Sequence, residues 1–402
     1  MARVVLAMSG GVDSSVAAEL LRAAGHEVIG VFMRHGEPAA GARAGETTAA
    51  ACRSAPADPS ATFSTDSSAA FPAKGGVSGR ARSTVLPIIE RAAHKQGCCT
   101  AADAEDARRV ADRLSIPFYA LDFQDEFGRI IDYFVAEYTA ARTPNPCVVC
   151  NTWLKFGRLF DYADSVQADF VATGHYARIV EGASGRPALA VGVDEAKDQS
   201  YALFGIDRRL LDRMLLPVGG FRKPEIREMA QRLGLRVADK KESQEICFIP
   251  QGDHAAFIRD RIGPSATAGT IVTTDGQEVG RHDGLERFTI GQRKGLGVAL
   301  GEARFVVRLE PETGRVVIGS KADLARDELT AANTNWLIPP PDGPLHCAVK
   351  IRYNSRRVPA TVTPLPGGRL ECRFDQPQFG VAPGQAVVCY VGEQVGGGGW
   401  IE

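Results

Sequence analysis

The chain has 402 residues, 44% hydrophobic and 24% charged, with 47 Lys and Arg against 48 Asp and Glu. This is an ordinary globular composition and excludes disorder throughout. The net charge of −1 gives no bulk attraction to nucleic acid, so an RNA partner would have to be held by a local basic patch. No apolar run approaches the roughly eighteen residues of a membrane span, and Met1–Met8 carries Arg3 and goes directly into Val4, Val5 and Leu6, so neither a span nor a signal peptide is expected. Nine cysteines, at 52, 98, 99, 147, 150, 247, 347, 372 and 389, are an odd number spread over a long chain. They suit a reducing cytoplasm with some thiols chemically employed rather than a secreted disulfide framework.

The predicted elements begin with a strand at Val4–Ala7, a glycine-rich turn at Ser9–Asp13, a helix with Val16, Leu20 and Leu21 on one side, and a second strand at Val28–Met33. This opens a parallel α/β sheet. From Gly36 to Thr84 there is no Leu or Ile, and small or polar residues dominate; the stretch, including Cys52, is expected to be a loosely packed insertion. Pattern resumes at Leu86–Ile89. Ala107, Val110, Ala111 and Leu114 then recur at helical spacing before a strand at Phe118–Leu121. A helix over Phe127–Tyr138 leads into Thr143-Pro-Asn-Pro146, where two prolines predict a rigid, extended loop. A helix at Trp153–Ala163 and a strand at Phe170–Thr173 follow.

Between about Pro217 and Arg261 the pattern changes to short helices, including Pro224–Leu233, broken by a loop at Lys240–Gln251. After Gly269 the period becomes two. Asp275-Gly276 and Thr313-Gly314 mark hairpins, the latter between Phe305–Leu309 and Arg315–Ile318. Strands at Ala348–Tyr353, Val358–Thr363, Leu370–Phe374 and Ala386–Val391 complete what is predicted to be an all-β module with a small closed barrel.

Ser9-Gly-Gly-Val-Asp-Ser14 lies between a strand and a helix. Its glycines let the backbone approach a phosphate, its amides and the helix N-terminus direct positive charge at it, and Ser9 and Ser14 add hydroxyl donors. Asp13 would repel a bare phosphate, which fits a carboxylate that meets the nucleotide through Mg²⁺. No Gly-Lys-Ser/Thr follows, so the loop is not of the Walker type. Cys147-Val-Val-Cys150-Asn151 stands before a helix, whose N-terminal charge is expected to favour a thiolate at Cys150. Cys247, in Ser243-Gln-Glu-Ile-Cys-Phe248, has Lys240 and Lys241 upstream to do the same. Either cysteine alone could equally be a buried small hydrophobe. The vicinal pair Cys98-Cys99 lacks the spacing of a zinc ribbon, and no zinc site is expected.

The loop Ser9–Ser14 resembles the signature of the ATP pyrophosphatases, enzymes that adenylate an oxygen and release pyrophosphate. Taken with Thr143–Asn151, Ala172-Thr-Gly-His-Tyr176, Lys197-Asp-Gln-Ser-Tyr201, Ser243–Phe248, Thr289–Gly297, Arg352-Tyr353, Pro383-Gly-Gln385 and the Gly396–Glu402 tail, the chain is similar to the tRNA-specific 2-thiouridylases, the MnmA family. The resemblance covers nearly everything except about residues 36–90. It implies an α/β fold: a parallel-sheet adenine-nucleotide-binding (PP-loop ATP pyrophosphatase) domain over 1–213, a small central domain over 214–280 carrying the second cysteine, and a C-terminal tRNA-binding β-barrel over 281–402. It implies an enzyme that uses ATP and Mg²⁺, with no tightly bound organic cofactor, to convert the wobble uridine of tRNA to 2-thiouridine. The sulfur would arrive as a persulfide from a donor protein, a desulfurase or a relay.

The resemblance also implies roles. Cys247 carries the persulfide and Cys150 is the nucleophile, the two forming a disulfide that must be reduced between turnovers. Ala7, Met8, Ser9, Gly10, Gly11, Val12, Asp13, Ser14, Met33 and Gly174 bind the nucleotide, with Mg²⁺ at Asp13. Asn145, Pro146, Cys147, His175, Lys197, Asp198, Gln199, Arg352, Tyr353 and Gln385 contact tRNA. Lys350, Arg356 and Arg357 around Tyr353 form the best basic and aromatic patch. Cys147 stands where many family members have Asp, a candidate general base; it is expected to lie near the uridine and be chemically secondary. Two other classes remain as alternatives: another PP-loop ligase or amidotransferase, which would have no use for Cys150 and Cys247, and a non-catalytic RNA-binding protein, against which the intact Asp13 and Ser14 argue.

Overall fold

The computed structural model describes residues 1–34, 100–183, 185–240, 246–249, 252–263 and 266–402. The expectations for Leu86–Ile89, Cys52, Cys98, Cys99, Lys241 and Ser243–Glu245 lie outside the described residues.

Strands β1 (Arg3–Ala7), β2 (Glu27–Arg34), β3 (Phe118–Asp122) and β4 (Phe170–Ala172) form a parallel sheet in the order β3-β2-β1-β4, extended beyond β4 by the short strand Met214–Leu215. Val4, Val5 and Leu6 are fully buried, as expected of a central strand covered on both faces. One face packs against the helix Val12–Ala23 through Val16, Ala17 and Leu21, together with Val110 and Ile226 from later helices. The other face meets Phe156, Leu159 and Phe160. The hairpin strands β5 (Ala177–Glu181) and β6 (Pro187–Val191) leave this unit and join the C-terminal sheet.

The β-rich last third divides into two units rather than one. In chain order, β7 is Met214–Leu215, and β8 (Gly269–Thr273), β9 (Glu278–His282), β10 (Phe305–Glu310) and β11 (Arg315–Gly319) form a separate four-stranded sheet in the order β10-β11-β8-β9, with its own core of Ile271, Phe288, Val306 and Val316. The strands β12 (Ala325–Trp336), β13 (Leu345–Lys350), β14 (Val358–Leu365), β15 (Arg369–Phe379), β16 (Ala386–Val391) and β17 (Gln394–Ile401) run β12-β15-β14-β13-β16-β17. Pairing of β12 with β17 closes them into a six-stranded barrel. Two of its strands, β12 and β17, carry no alternating apolar pattern in the sequence. The barrel's Cys347, Cys372 and Cys389 are buried and serve as small core residues.

The barrel is fixed to the α/β unit around a buried tyrosine. The Tyr201 hydroxyl donates to the Ala386 carbonyl of β16 at 2.9 Å and also bonds the side chain of Asn145. Burial raises its pKa above the normal tyrosine value, so it remains a neutral donor. Tyr201→Phe leaves these partners unsatisfied and is expected to cost about 1–3 kcal/mol, measured as a lowered midpoint in urea denaturation.

Candidate active site

The phosphate loop follows the buried end of β1. Gly10 has φ of +71°, and a Cβ there would collide with the carbonyl of Asp103, so glycine is required. Gly11 caps the helix Val12–Ala23 with extended backbone and no side-chain cap, leaving the first amides of that helix without side-chain competition. Ser14 Oγ accepts from Ser9 N at 3.2 Å and donates to Gly11 O at 3.2 Å, holding the turn closed. Gly174 packs over the helix start; a Cβ would fall 2.8 Å from Ser14 N. The expected nucleotide residues Ala7 to Ser14 are thus contiguous in one turn, and Gly174 closes against its helical end, with Met8, Val12 and Ser14 buried. Met33, at the end of β2, is half-buried between the sheet and the cluster that holds the cysteines.

Two lysines from later in the chain neutralise the loop's surroundings. Lys223 Nζ lies 2.8 Å from both carboxylate oxygens of Asp13, and the Tyr176 hydroxyl donates to Asp13 Oδ1 at 2.7 Å. Lys240 Nζ donates to Gly10 O at 2.9 Å and to Asp103 Oδ1 and Asp106 Oδ2 at 2.7 Å each. Lys240 thus braces the back of the loop, not the thiol of Cys247 as the sequence suggested. Among the described residues no group of three or more His, Cys, Asp or Glu side chains could hold a metal ion. With both its oxygens on Lys223, Asp13 does not fit a protein-built Mg²⁺ site.

The cysteines lie at a helical irregularity. Asn145 caps the short helix Pro146–Val149, its side chain accepting from Val148 N at 3.3 Å, with Pro146 as the first residue. The helix therefore begins four residues before Cys150, and Cys147, which is exposed, occupies its first turn. The dipole argument applied to Cys150 belongs to Cys147, since the effect fades beyond the first turn. From Cys150 to Arg158 the chain widens into a π-helix, a conformation concentrated at functional sites. Cys150 and Cys247, far apart in sequence, are both half-buried and pack on one cluster formed by Phe123, Phe127, Ile130, Val149 and Leu154.

The barrel grips the same loop. Gln385 Nε2 donates to the carbonyls of Thr143 and Pro144 at 3.0 and 3.1 Å, and Thr143 N donates to Pro383 O at 2.7 Å. Several expected RNA contacts serve the scaffold. Gln199 exchanges two hydrogen bonds with the backbone of Tyr176, and Asp198 accepts from Gly192 N, Ser200 N and Ser200 Oγ. The neighbouring Lys197 is half-buried, its amide donating to Asp194 O at 3.0 Å. Arg352 is half-buried and donates to Ile290 O at 2.7 Å. Tyr353 is exposed, with Lys350 Nζ 5.7 Å from its ring centre and Arg356 and Arg357 exposed nearby in the chain. Sequence patterns alone did not single out Lys223. Its signal was a lysine beside Pro224 at a helix start, where a cation is electrostatically unfavourable.

Residues 2–58 and 81–251 match the family model described as the tRNA methyl transferase HUP domain. Residues 255–320 match the tRNA methyl transferase PRC-barrel domain, and 326–401 the aminomethyltransferase beta-barrel domain. The chain is 56% identical over 410 residues to the tRNA-specific 2-thiouridylase MnmA of Rhodopirellula baltica, covering 100% of this chain and 96% of that protein. It is 43% identical to that of Geotalea uraniireducens, covering 100% and 95%, and 41% identical to that of Lachnoclostridium phytofermentans, covering 100% and 99%. The chain belongs to the MnmA family. Membership brings ATP binding with it. No described helix is long and apolar enough to cross a membrane.

His175, beside Gly174, is buried, with Nδ1 2.7 Å from Thr173 Oγ1. Burial first, and repulsion from Lys155 second, push its pKa well below 6.5. The unfolded chain takes up a proton near pH 6.5 and the folded one does not, so stability is full above that pH. It falls as pH drops from about 6.5 towards the lower folded value, by up to about 1.4 kcal/mol per pH unit. His175→Gln should flatten this part of the urea-midpoint profile between pH 7.5 and 5 relative to the parent; parallel profiles would disprove the assignment.

Proposed function

We propose that this chain catalyses the ATP-dependent 2-thiolation of the wobble uridine in tRNA. The observation that carries the proposal is the convergence of Cys150 and Cys247 on one apolar cluster, which Met33 links to the sheet bearing the phosphate loop. Methyl transfer, named in the domain-family description, would leave that loop without a task.

The uridine C2 carbonyl is a weak electrophile. Attack of its oxygen on the α-phosphorus of ATP expels pyrophosphate and turns that oxygen into a good leaving group. The terminal sulfur of a Cys247 persulfide then attacks C2, and AMP departs. The Cys150 thiolate attacks the Cys247 sulfur, breaking the S–S bond: the outer sulfur remains on the base and a Cys150–Cys247 disulfide forms. An external dithiol returns the two electrons, and a donor protein reloads Cys247. No step is routed through Mg²⁺ at Asp13.

The half-buried setting of both thiols favours sulfur transfer by limiting water and competing oxidants. Cys147 is exposed in the helical first turn, near Asn145 and Pro146, where an incoming base would meet it. The division of labour follows: nucleotide chemistry in the α/β unit, the persulfide on the segment after it, and tRNA docking on the barrel. There the exposed Tyr353 and its cationic neighbours offer stacking and phosphate contacts.

Purified protein with tRNA, Mg-ATP and a persulfide donor should yield thiolated tRNA, resolved on a mercury-containing gel. Cys150→Ala and Cys247→Ala should each abolish product. Cys147→Ser should retain substantial product. Full activity in either of the first two variants overturns the sulfur route, and complete loss in the third makes Cys147 essential.

A further inference from the structure

Lys223 is the first residue of the helix Lys223–Arg232 and is only 6% exposed. Two effects oppose an ammonium there: the positive end of the helix dipole and the loss of hydration. A cation is retained in such a place when a specific anion faces it. Asp13 does so with both oxygens, and Tyr176 secures one of them, its ring centre lying 5.5 Å from Nζ. The start of the lysine's helix is itself fixed, since Lys223 N donates to Asp194 Oδ2 at 2.9 Å. Asp13 in turn belongs to the first turn of the helix that opens from the phosphate loop. The ammonium therefore stands beside the amides that would cradle a polyphosphate.

The charges explain why the acid is tolerated. Without Lys223, Asp13 would place a negative charge at a site built for anions. With it, the pair is neutral, and a polyphosphate can compete with Asp13 for the ammonium. We propose that Lys223 is a polyphosphate-binding residue of the nucleotide site. Asp13 and Tyr176 are positioning residues that hold its ammonium ready, so that Lys223 rather than a metal on Asp13 meets the β- and γ-phosphates of ATP and the pyrophosphate they become. This rests on the reading that the loop binds ATP for adenylation.

The test is calorimetric titration of the full chain with ATP and, separately, with AMP, at constant free Mg²⁺ and again in EDTA. The variants are Lys223→Arg, Lys223→Met and the double variant Asp13→Asn/Lys223→Met. The double variant removes both charges of the buried pair, so no unpaired charge is left to unfold the protein. Both Met-bearing proteins should bind ATP at least about tenfold more weakly than the parent, in both buffers, while AMP changes by less than about twofold. Lys223→Arg should recover part of the loss. Parent-like ATP binding by the double variant would reduce the pair to a structural ion pair. An equal loss for AMP would make it a general support of the pocket, and a loss that vanishes in EDTA would return the role to a metal at Asp13; each overturns the proposal. If the parent protein binds no ATP in either buffer, the adenylation reading itself fails.

Discussion

A turn of bare amides at the end of a buried strand attracts anions, and the acids around it must be neutralised or the fold is penalised. In this chain the neutralising charges come from outside the loop. Lys223 meets Asp13, and Lys240 meets Asp103, Asp106 and the Gly10 carbonyl. Both lysines follow the parallel sheet in the chain, so the Ser9–Ser14 end of the first unit is electrostatically complete only when the segment between about 220 and 240 has packed against it. The helices Val12–Ala23 and Lys223–Arg232 share one core, which fixes that arrangement through Val16, Ala17, Ile226 and Ala230.

The legible parts of the fold were those whose side chains declare their surroundings. β1 and β2 are continuous apolar runs and were visible as buried parallel strands; β16 coincided with its expected Ala386–Val391. β12 and β17 were not visible. The first is largely polar, and the second contains Gly396–Gly399, which has no side chains to show a pattern. What makes β17 a strand is the neighbouring backbone: a Cβ at Gly398 would overlap the Val387 carbonyl, so the barrel closes only around glycine. That is a tertiary constraint, and local propensity carries no trace of it.

The site was legible in the same uneven way. The loop Ser9–Ser14 and the cysteines 150 and 247 stood out by type and spacing, and the described structure places both cysteines on a common cluster. The π-helix at Cys150–Arg158 could not be foreseen, because nothing in the residue types of this stretch marks a widened turn. Motif membership also did not separate residues that contact a ligand from those that hold the scaffold. Asp198, Gln199 and Gln385 spend side-chain hydrogen bonds on carbonyls and amides of their own chain.

The closing seam of the barrel, where β12 pairs with β17, has a bearing on synthesis. β17 leaves the ribosome after the other five strands, and Ile401 hydrogen-bonds Gln385, whose side chain grips the Thr143–Pro144 loop. The hold on the loop that leads into Cys147 and Cys150 therefore comes from a turn next to the last two strands of the barrel, and it follows that loop by some 240 residues in the chain.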